Sequence, residues 1–275
     1  MFRMGFVHGG ILLFAALGFA GAARAHDPIF GLGPQVLFKG GVQIGPEFHL
    51  TRAGQAREQE LSLKLAYGLS GDWSAGVSLP YVNAEQNGNR ASGQGDLRLF
   101  TKYRFWRRDS LGLQQSMAVA LMVVADTAGE NKTPSLGTGA TDTILGLAYG
   151  HESRKWYRWA GVRYRANGSG PGGLERGDKV LVDLVVGLRP VPTGYLEPDT
   201  VWLLELNGEY GQRARLNGVE LADTGGAEWF ISPAIFWTKR NFAVKAGVQI
   251  PIYQDLNGNQ QGADYRAKLA LEWHL

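Results

Sequence analysis

The chain has 275 residues, of which 28 are basic, 25 are acidic and none is cysteine. This length suits one large domain or two small ones, and the lack of cysteine excludes a disulfide-stapled scaffold. The near-balance of charge leaves no net field to attract phosphates, which argues against a nucleic-acid-binding protein.

Residues 1–25 have the features of a cleaved export signal. Arg3 gives a positive start, residues 11–20 form an apolar run, and residues 23–25 form a small-x-small cleavage pattern before His26. A membrane-anchoring helix is the alternative, but the run is too short to span about 30 Å of hydrocarbon. We therefore predict that the mature chain begins at His26 and is exported.

Residues 26–41 are predicted to be a periplasmic lead-in to one domain that covers residues 42–275. Pro28 and Pro34 prevent regular structure in this lead-in. After cleavage, His26 would carry a free α-amine beside its imidazole, a pair of groups that can chelate copper. An N-terminal histidine more often arises by accident of cleavage, so we predict neither a metal nor a cofactor.

From residue 42 onward, apolar and polar side chains alternate in twelve stretches. A strand repeats its side-chain direction every two residues, so each stretch predicts a strand with one apolar and one polar face. The predicted strands cover residues 42–51, 60–69, 73–81, 96–105, 111–125, 143–149, 156–166, 179–189, 202–210, 229–237, 242–252 and 263–275.

The connections between these strands alternate in length. Short turns follow the second, fourth, sixth and tenth strands, and a somewhat longer one follows the eighth. Longer connections rich in glycine follow the third, fifth, seventh, ninth and eleventh, at residues 83–95, 126–140, 167–177, 212–226 and 255–262. Short periplasmic turns and long outer loops are typical of outer-membrane barrels, and an even strand count returns both ends to the periplasm.

Tryptophan and tyrosine are sorted to opposite ends of the predicted strands. Four tyrosines lie at the long-loop end: Tyr81, Tyr210, Tyr253 and Tyr265. Six tryptophans lie at the short-turn end and form a predicted aromatic girdle: Trp73, Trp106, Trp156, Trp202, Trp237 and Trp273. Amphipathic rings favour the headgroup layer, so two girdles one strand length apart indicate a membrane slab. We predict an all-β fold, a transmembrane up-and-down antiparallel β-barrel of about twelve strands in the outer membrane of a Gram-negative bacterium.

If the apolar faces meet lipid, the polar faces line the barrel interior. The predicted lumen-lining residues are Lys64, Arg98, Lys102, Arg163, Asp183, Glu205, Lys245 and Lys268. Acidic and basic groups are nearly balanced, which favours mutual pairing that stiffens the wall and partly plugs the lumen. The alternative is a solute track with separate basic and acidic patches.

One stretch carries a family resemblance. The run Gly-Asp-Leu-Arg-Leu-Phe-Thr-Lys-Tyr-Arg-Phe at residues 95–105 resembles the Gly-Asp strand motif of the outer-membrane proteins grouped under the MetA pathway of phenol degradation. Residues 78–81 and 134–142 are similar to the same family's layout. The resemblance implies a barrel of about twelve strands that passes small or hydrophobic compounds. Leu275 departs from the Phe or Trp that usually ends such barrels, which weakens the recognition signal for the barrel assembly machinery.

Neither a Gly-x-Ser-x-Gly elbow nor a His-Glu-x-x-His motif occurs, so we predict that the protein is not an enzyme. The function predicted instead is an outer-membrane channel that passes small solutes passively, including hydrophobic or aromatic ones by the family resemblance. The alternative is a structural or surface-binding barrel with a salt-bridged, plugged lumen. The expected partners are outer-membrane lipid and lipopolysaccharide, the barrel assembly machinery and a small-molecule solute. The chain is expected to be a monomer and to bind no nucleic acid.

Overall fold

The computed structural model describes residues 27–129, 132–194 and 196–275. The predicted export signal and His26 lie outside these residues. Within them, a 3-10 turn at Pro171–Gly173 accompanies sixteen strands: β1 (Val42–Ala53), β2 (Ala56–Gly68), β3 (Trp73–Gln86), β4 (Asn89–Gln94), β5 (Leu97–Ser110), β6 (Leu113–Ala125), β7 (Asp142–Ser153), β8 (Trp156–Ala166), β9 (Leu174–Glu175), β10 (Lys179–Leu188), β11 (Asp199–Gly211), β12 (Arg215–Leu216), β13 (Val219–Glu220), β14 (Gly226–Lys239), β15 (Phe242–Leu256) and β16 (Tyr265–His274).

Twelve of these strands form a closed antiparallel barrel in which each strand pairs with its neighbours in the chain. The order is β1, β2, β3, β5, β6, β7, β8, β10, β11, β14, β15 and β16, and β16 pairs back with β1. Val42 and Leu275 exchange both backbone hydrogen bonds at this seam, with N···O distances of 3.0 and 2.8 Å. Closure satisfies the backbone groups that an open sheet would leave at its edges. The predicted fold class is therefore confirmed, with twelve wall strands.

The wall strands have the predicted alternation, with apolar side chains on the outer face and mostly polar side chains on the inner face. On β2, Leu61 is 58% exposed on the outside, whereas its neighbour Ser62 is 2% exposed on the inside. The same outward apolar face continues on the other wall strands, where Leu99, Leu145 and Leu204 are exposed. A period of two therefore places one hydrophobic face on the outer surface of the whole cylinder.

The two rims of the barrel differ in their connections. At one rim, here called the turn end, tight turns join β2 to β3, β5 to β6, β7 to β8 and β14 to β15. β1 begins and β16 ends at the same rim. At the other rim, the loop end, the long connections cover residues 126–141, 167–178, 212–225 and 257–264. The connection between β1 and β2 at the loop end has only residues 54–55.

Several predicted strand limits are wrong because strands continue beyond the alternating stretches. The predicted loop 83–95 contains the end of β3 and the hairpin strand β4, and the predicted loop 212–226 contains the hairpin of β12 and β13. Both hairpins turn at Asn-Gly, with positive φ at Asn87, Gly88, Asn217 and Gly218. Asn-Gly is the residue pair that two-residue hairpin turns favour, so the sequence carried this signal. The short turn predicted between the strands 96–105 and 111–125 lies later than expected, because β5 continues to Ser110 and the chain turns at residues 111–112.

The prediction that residues 26–41 are a periplasmic lead-in is also wrong for most of the segment. The segment has no regular structure, as expected, but residues 27–36 run inside the barrel and contact its inner face. We call residues 27–36 the plug segment. In the part of the chain that the structure describes, no helix is long and apolar enough to cross a membrane.

Candidate functional site

The backbone of the plug segment is held by two buried carboxylates on neighbouring strands. Glu205 on β11 accepts hydrogen bonds from the backbone N–H groups of Ile29, Phe30 and Gly31, at 2.7, 3.2 and 3.0 Å. Asp183 on β10 accepts one from Leu32 at 3.2 Å. Both carboxylates are at most 1% exposed. A segment without secondary structure has no internal partners for its N–H groups, and these two side chains supply them.

Side chains fasten the plug segment at three further places. The Lys102 ammonium lies 2.5 Å from the Asp27 carboxylate and donates to the Gly33 carbonyl at 2.9 Å. The Gln35 amide donates to Glu152 on β7. The same Glu152 oxygen accepts a hydrogen bond from the Trp159 indole N–H at 2.7 Å. The plug is therefore tied to β5, β7, β10 and β11.

Gly146 on β7 lets the plug segment approach the wall closely. A Cβ atom at this position would lie 2.6 Å from Cδ2 of Leu32, nearer than carbon atoms approach without displacement. A glycine inside a strand often marks such a close approach of another segment. The plug is therefore fitted to this wall by shape as well as by hydrogen bonds.

An apolar cluster inside the barrel packs against the same part of the plug segment. Ile29 is 2% exposed within it, and Phe30 packs on its edge. The other members come from the inward faces of β8, β10, β11, β14 and β15: Tyr157, Trp159, Val185, Val201, Leu203, Ala234, Phe236 and Ala243. We call β7, β8, β10, β11 and β14 the docking wall, because the plug segment is bound there.

A cavity of about 540 Å³ remains between the plug segment and the opposite strands. We call β16, β1, β2 and β3 the open wall; their residues on the cavity include Glu47, Lys64, Ser78 and Lys268. Arg98, Phe100 and Lys102 of β5 line the cavity beside this wall. The cavity is therefore bounded by basic and acidic residues of the open wall, by β5 and by the plug, and residues of the docking wall such as Arg163 and Glu209 also line it.

The structure places all eight predicted lumen-lining residues on the inner face of the barrel, and seven of them make ion pairs or plug contacts. Glu205 and Asp183 hold the plug backbone, and Lys102 holds Asp27. The pairs that do not involve the plug are Arg98–Glu60 at 2.6 Å, Arg163–Asp183 at 2.8 Å, Lys245–Glu272 at 2.8 Å and Lys268–Glu47 at 3.2 Å. Lys64 makes no ion pair within 4.0 Å to any described residue. Among the predicted lumen-lining residues, ion pairs and plug contacts therefore predominate, and Lys64 is the exception.

The Gly-Asp motif at the start of β5 anchors the longest described loop. Asp96 accepts hydrogen bonds from the N–H groups of Thr127, Ala128 and Thr138 and from the Thr138 hydroxyl, at 2.6 to 3.1 Å. Ala128 and Leu136 of this loop pack on the inward face of β3 at the loop end. The motif therefore folds the loop toward the barrel mouth.

Another buried carboxylate, that of Asp142, holds the neighbouring loop at residues 167–178. It pairs with Arg165 and Arg176, each at 2.5 Å, and accepts a hydrogen bond from the Gly168 N–H at 3.0 Å. This side chain is fully buried. Asp96 and Asp142 thus hold two neighbouring loops at the loop end, and neither contacts the plug segment directly in the described structure.

All six predicted girdle tryptophans face outward at the turn end. Trp73, Trp106, Trp156, Trp202 and Trp273 are between 37% and 56% exposed, and Trp237 is half-buried. At the loop end, Tyr81, Tyr210 and Tyr253 are more than half exposed on the outer surface. The outer surface is thus an apolar band between two aromatic belts.

The plug segment and its apolar docking surface were not predicted from the sequence. The available signal was the loss of alternation in β10, β11 and β14, where Val185, Leu203 and Phe236 are apolar at inward positions. A strand that is apolar on both faces is buried on both. Phe100 was not predicted to line the lumen either, although its inward direction follows from the alternation of β5.

In the described residues, no group of three or more His, Cys, Asp or Glu side chains is arranged to hold a metal ion. The copper chelate considered at His26 lies outside those residues. That the protein is not an enzyme stays a prediction.

The fold resembles those of solved outer-membrane proteins. The COG4313 outer membrane channel from Pseudomonas putida F1 superposes with a TM-score of 0.71 and 15% sequence identity, over 91% of this chain and 100% of that one. The beta domain of the Bordetella autotransporter BrkA gives a TM-score of 0.50 and 12% identity, over 85% and 98% of the two chains. At these identities the likeness shows the fold alone. None of the curated proteins is a significant match to the sequence.

The sequence itself matches a family over most of its length. The match covers residues 36–255, which include β1 to β14 and nearly all of β15. It contains the Gly-Asp motif on which the resemblance was based. The chain therefore belongs to the family described as "Putative MetA-pathway of phenol degradation".

Proposed function

We propose that this barrel spans the outer membrane of a Gram-negative bacterium and lets small solutes pass passively along the space beside the plug segment. The observation that carries the proposal is the cavity of about 540 Å³ between the plug and the open wall. It lies in the interior of a closed barrel, where a solute is separated from lipid by paired backbone.

The outer surface supports the membrane location. Its exposed apolar side chains form a continuous band, and such a band is unfavourable in water. The two aromatic belts lie where lipid headgroups would meet the barrel. Lipopolysaccharide and lipid on the outside, the barrel assembly machinery during insertion and a monomeric state remain parts of this proposal. The similar Pseudomonas putida protein is described as an outer membrane channel, which is consistent with the proposal.

The second candidate is a structural or surface-binding barrel with a closed lumen. It is favoured by the plug segment itself and by the loop of residues 126–141, which folds toward the mouth. The small sheet of β9, β12 and β13 and a second cavity of about 660 Å³ beside it would then be the binding surface.

Single-channel conductance in planar bilayers separates the two candidates. We expect the refolded protein to give small, resolvable steps, and a variant without residues 27–36 to give larger ones, because the plug fills part of the lumen. A variant without residues 215–220 is the control, since it removes a loop-end hairpin and leaves the plug contacts in place. Silence of both the intact protein and the plug deletion would overturn the channel proposal.

A further inference from the structure

Lys64 differs from the other basic residues of the cavity. Lys102, Lys245, Lys268, Arg98, Arg163 and Arg266 each have a carboxylate within 4.0 Å. Lys64 has no carboxylate at that distance among the described residues, although it lines the same cavity. Its ammonium instead lies 5.3 Å from the centre of the Phe100 ring.

The carboxylates near Lys64 are already held by other cations. Asp27, Glu47 and Glu272 are the acidic groups in electrostatic range of its ammonium. They pair with Lys102 at 2.5 Å, Lys268 at 3.2 Å and Lys245 at 2.8 Å. Four ammonium groups therefore share three carboxylates, and Lys64 is the one of the four without a direct ion pair to a described residue. A cation in a confined interior without a direct partner is a favourable site for an anion.

Apolar side chains line the same cavity as this cation. The Phe100 ring lies close to Gly76 of β3, where a Cβ atom would come within 2.4 Å of it. Phe30, Met122 and Ile144 line the same cavity. An inorganic anion would leave these surfaces without a partner, whereas an organic anion with an apolar body would cover them.

We propose that Lys64 and Phe100 form a subsite for a small organic anion with an apolar body, of which an aromatic carboxylate is the simplest example. Lys64 holds the carboxylate, and the apolar part lies against Phe100 and the plug side of the cavity. The cavity volume of about 540 Å³ accommodates such a molecule. Binding of the anion is inferred from this geometry alone, whereas its passage through the barrel also depends on the proposed channel function.

Binding is tested by isothermal titration of the full mature protein in detergent with benzoate and with its neutral isostere benzamide. We expect benzoate to bind at least about tenfold more tightly, a difference of about 1.4 kcal/mol. Lys64→Gln should abolish this preference, and Lys64→Arg should retain it because the charge remains. Lys155→Gln, which removes an exposed ammonium in the β7–β8 turn, is the matched control and should bind like the unchanged protein. Equal binding of the two ligands, or a preference that survives Lys64→Gln, would overturn the proposal.

Passage is tested separately by swelling of liposomes that contain the protein. Faster entry of benzoate than of benzamide, lost in Lys64→Gln, supports both the subsite and the channel. Entry of both solutes at equal rates supports the channel and contradicts the subsite. Benzoate binding without entry of either solute retains the subsite and contradicts the channel.

Discussion

The docking wall and the open wall are built from the same alternating strands, yet their inner faces differ. On the docking wall, the inward positions near the turn end are apolar. Glu205 and Asp183 follow them on the same strands, farther from the turn end. On the open wall, inward positions carry Lys64, Lys268 and Glu47 and face the cavity. The docking wall binds a segment of the chain itself, and the cavity is lined by the open wall and by part of the docking wall. The outer faces are alike because lipid imposes the same requirement all around the barrel.

The comparison is tested most strongly at Glu205. In Glu205→Ala, three backbone N–H groups lose their acceptor, at a cost of about 1–3 kcal/mol for each donor that stays buried. We expect the plug segment to detach instead, so that conductance rises toward that of the variant without residues 27–36. Glu209→Ala removes an inward carboxylate of the same strand that pairs with Arg266, and it should leave the plug in place. Unchanged conductance in Glu205→Ala would show that these hydrogen bonds do not hold the plug.

A smaller effect is expected from Gly146→Val, which acts on shape alone. The added side chain would displace Leu32, and overpacking of this kind costs about 1–3 kcal/mol. Because the end of Leu32 can move, we expect more frequent openings in single-channel records and a modest fall in the thermal unfolding midpoint. Gly71→Val is the control, since a Cβ atom there meets nothing within 4 Å. Identical records for both variants would contradict the close fit of plug and wall.

The smallest effect is expected on the open wall, from Lys268→Gln. Glu47 would lose one partner at 3.2 Å, but His49 at 3.2 Å and the charge of Lys64 remain near it. The two side chains are only 18% and 12% exposed but both line the cavity, so the loss in unfolding free energy should be about 1 kcal/mol. Thermal unfolding followed by tryptophan fluorescence measures it. A loss as large as that of Glu205→Ala would remove the distinction between the two walls.

The wall of the barrel could be predicted from the sequence, and the plug could not. Strand number and facing follow from the alternation of residues such as Leu61 and Ser62, because lipid and lumen enforce a period of two. The hairpins at Asn87 and Asn217 carry a local signal, the Asn-Gly pair. The plug segment has neither periodicity nor a motif, and its docking uses backbone N–H groups that every sequence offers. Only the apolar inward residues of the docking wall, such as Leu203, indicated that something covers them.

The sequence predicts where the inward-facing carboxylates lie, but it does not predict what they bind. Alternation placed Glu205 and Asp183 on the inner face, and the charge balance suggested that they pair with arginine or lysine. Glu205 instead binds peptide groups 174 to 176 residues away in the chain. Contacts over such separations depend on the closed barrel, so no local pattern predicts them. Alternation likewise puts Lys64 on the inner face, but its lack of an ion pair among the described residues is visible only when all neighbouring pairs are known.

The hydrogen bonds between β1 and β16 that close the barrel limit where reporter groups can be attached. Leu275 exchanges hydrogen bonds with Val42, so a tag fused behind it would crowd the junction on which cylinder closure depends. A fluorophore attached to the plug segment would occupy part of the cavity that this segment lines. The Asn217–Gly218 turn projects from the opposite rim and touches neither region. Epitopes inserted there would report on surface display without altering the passage.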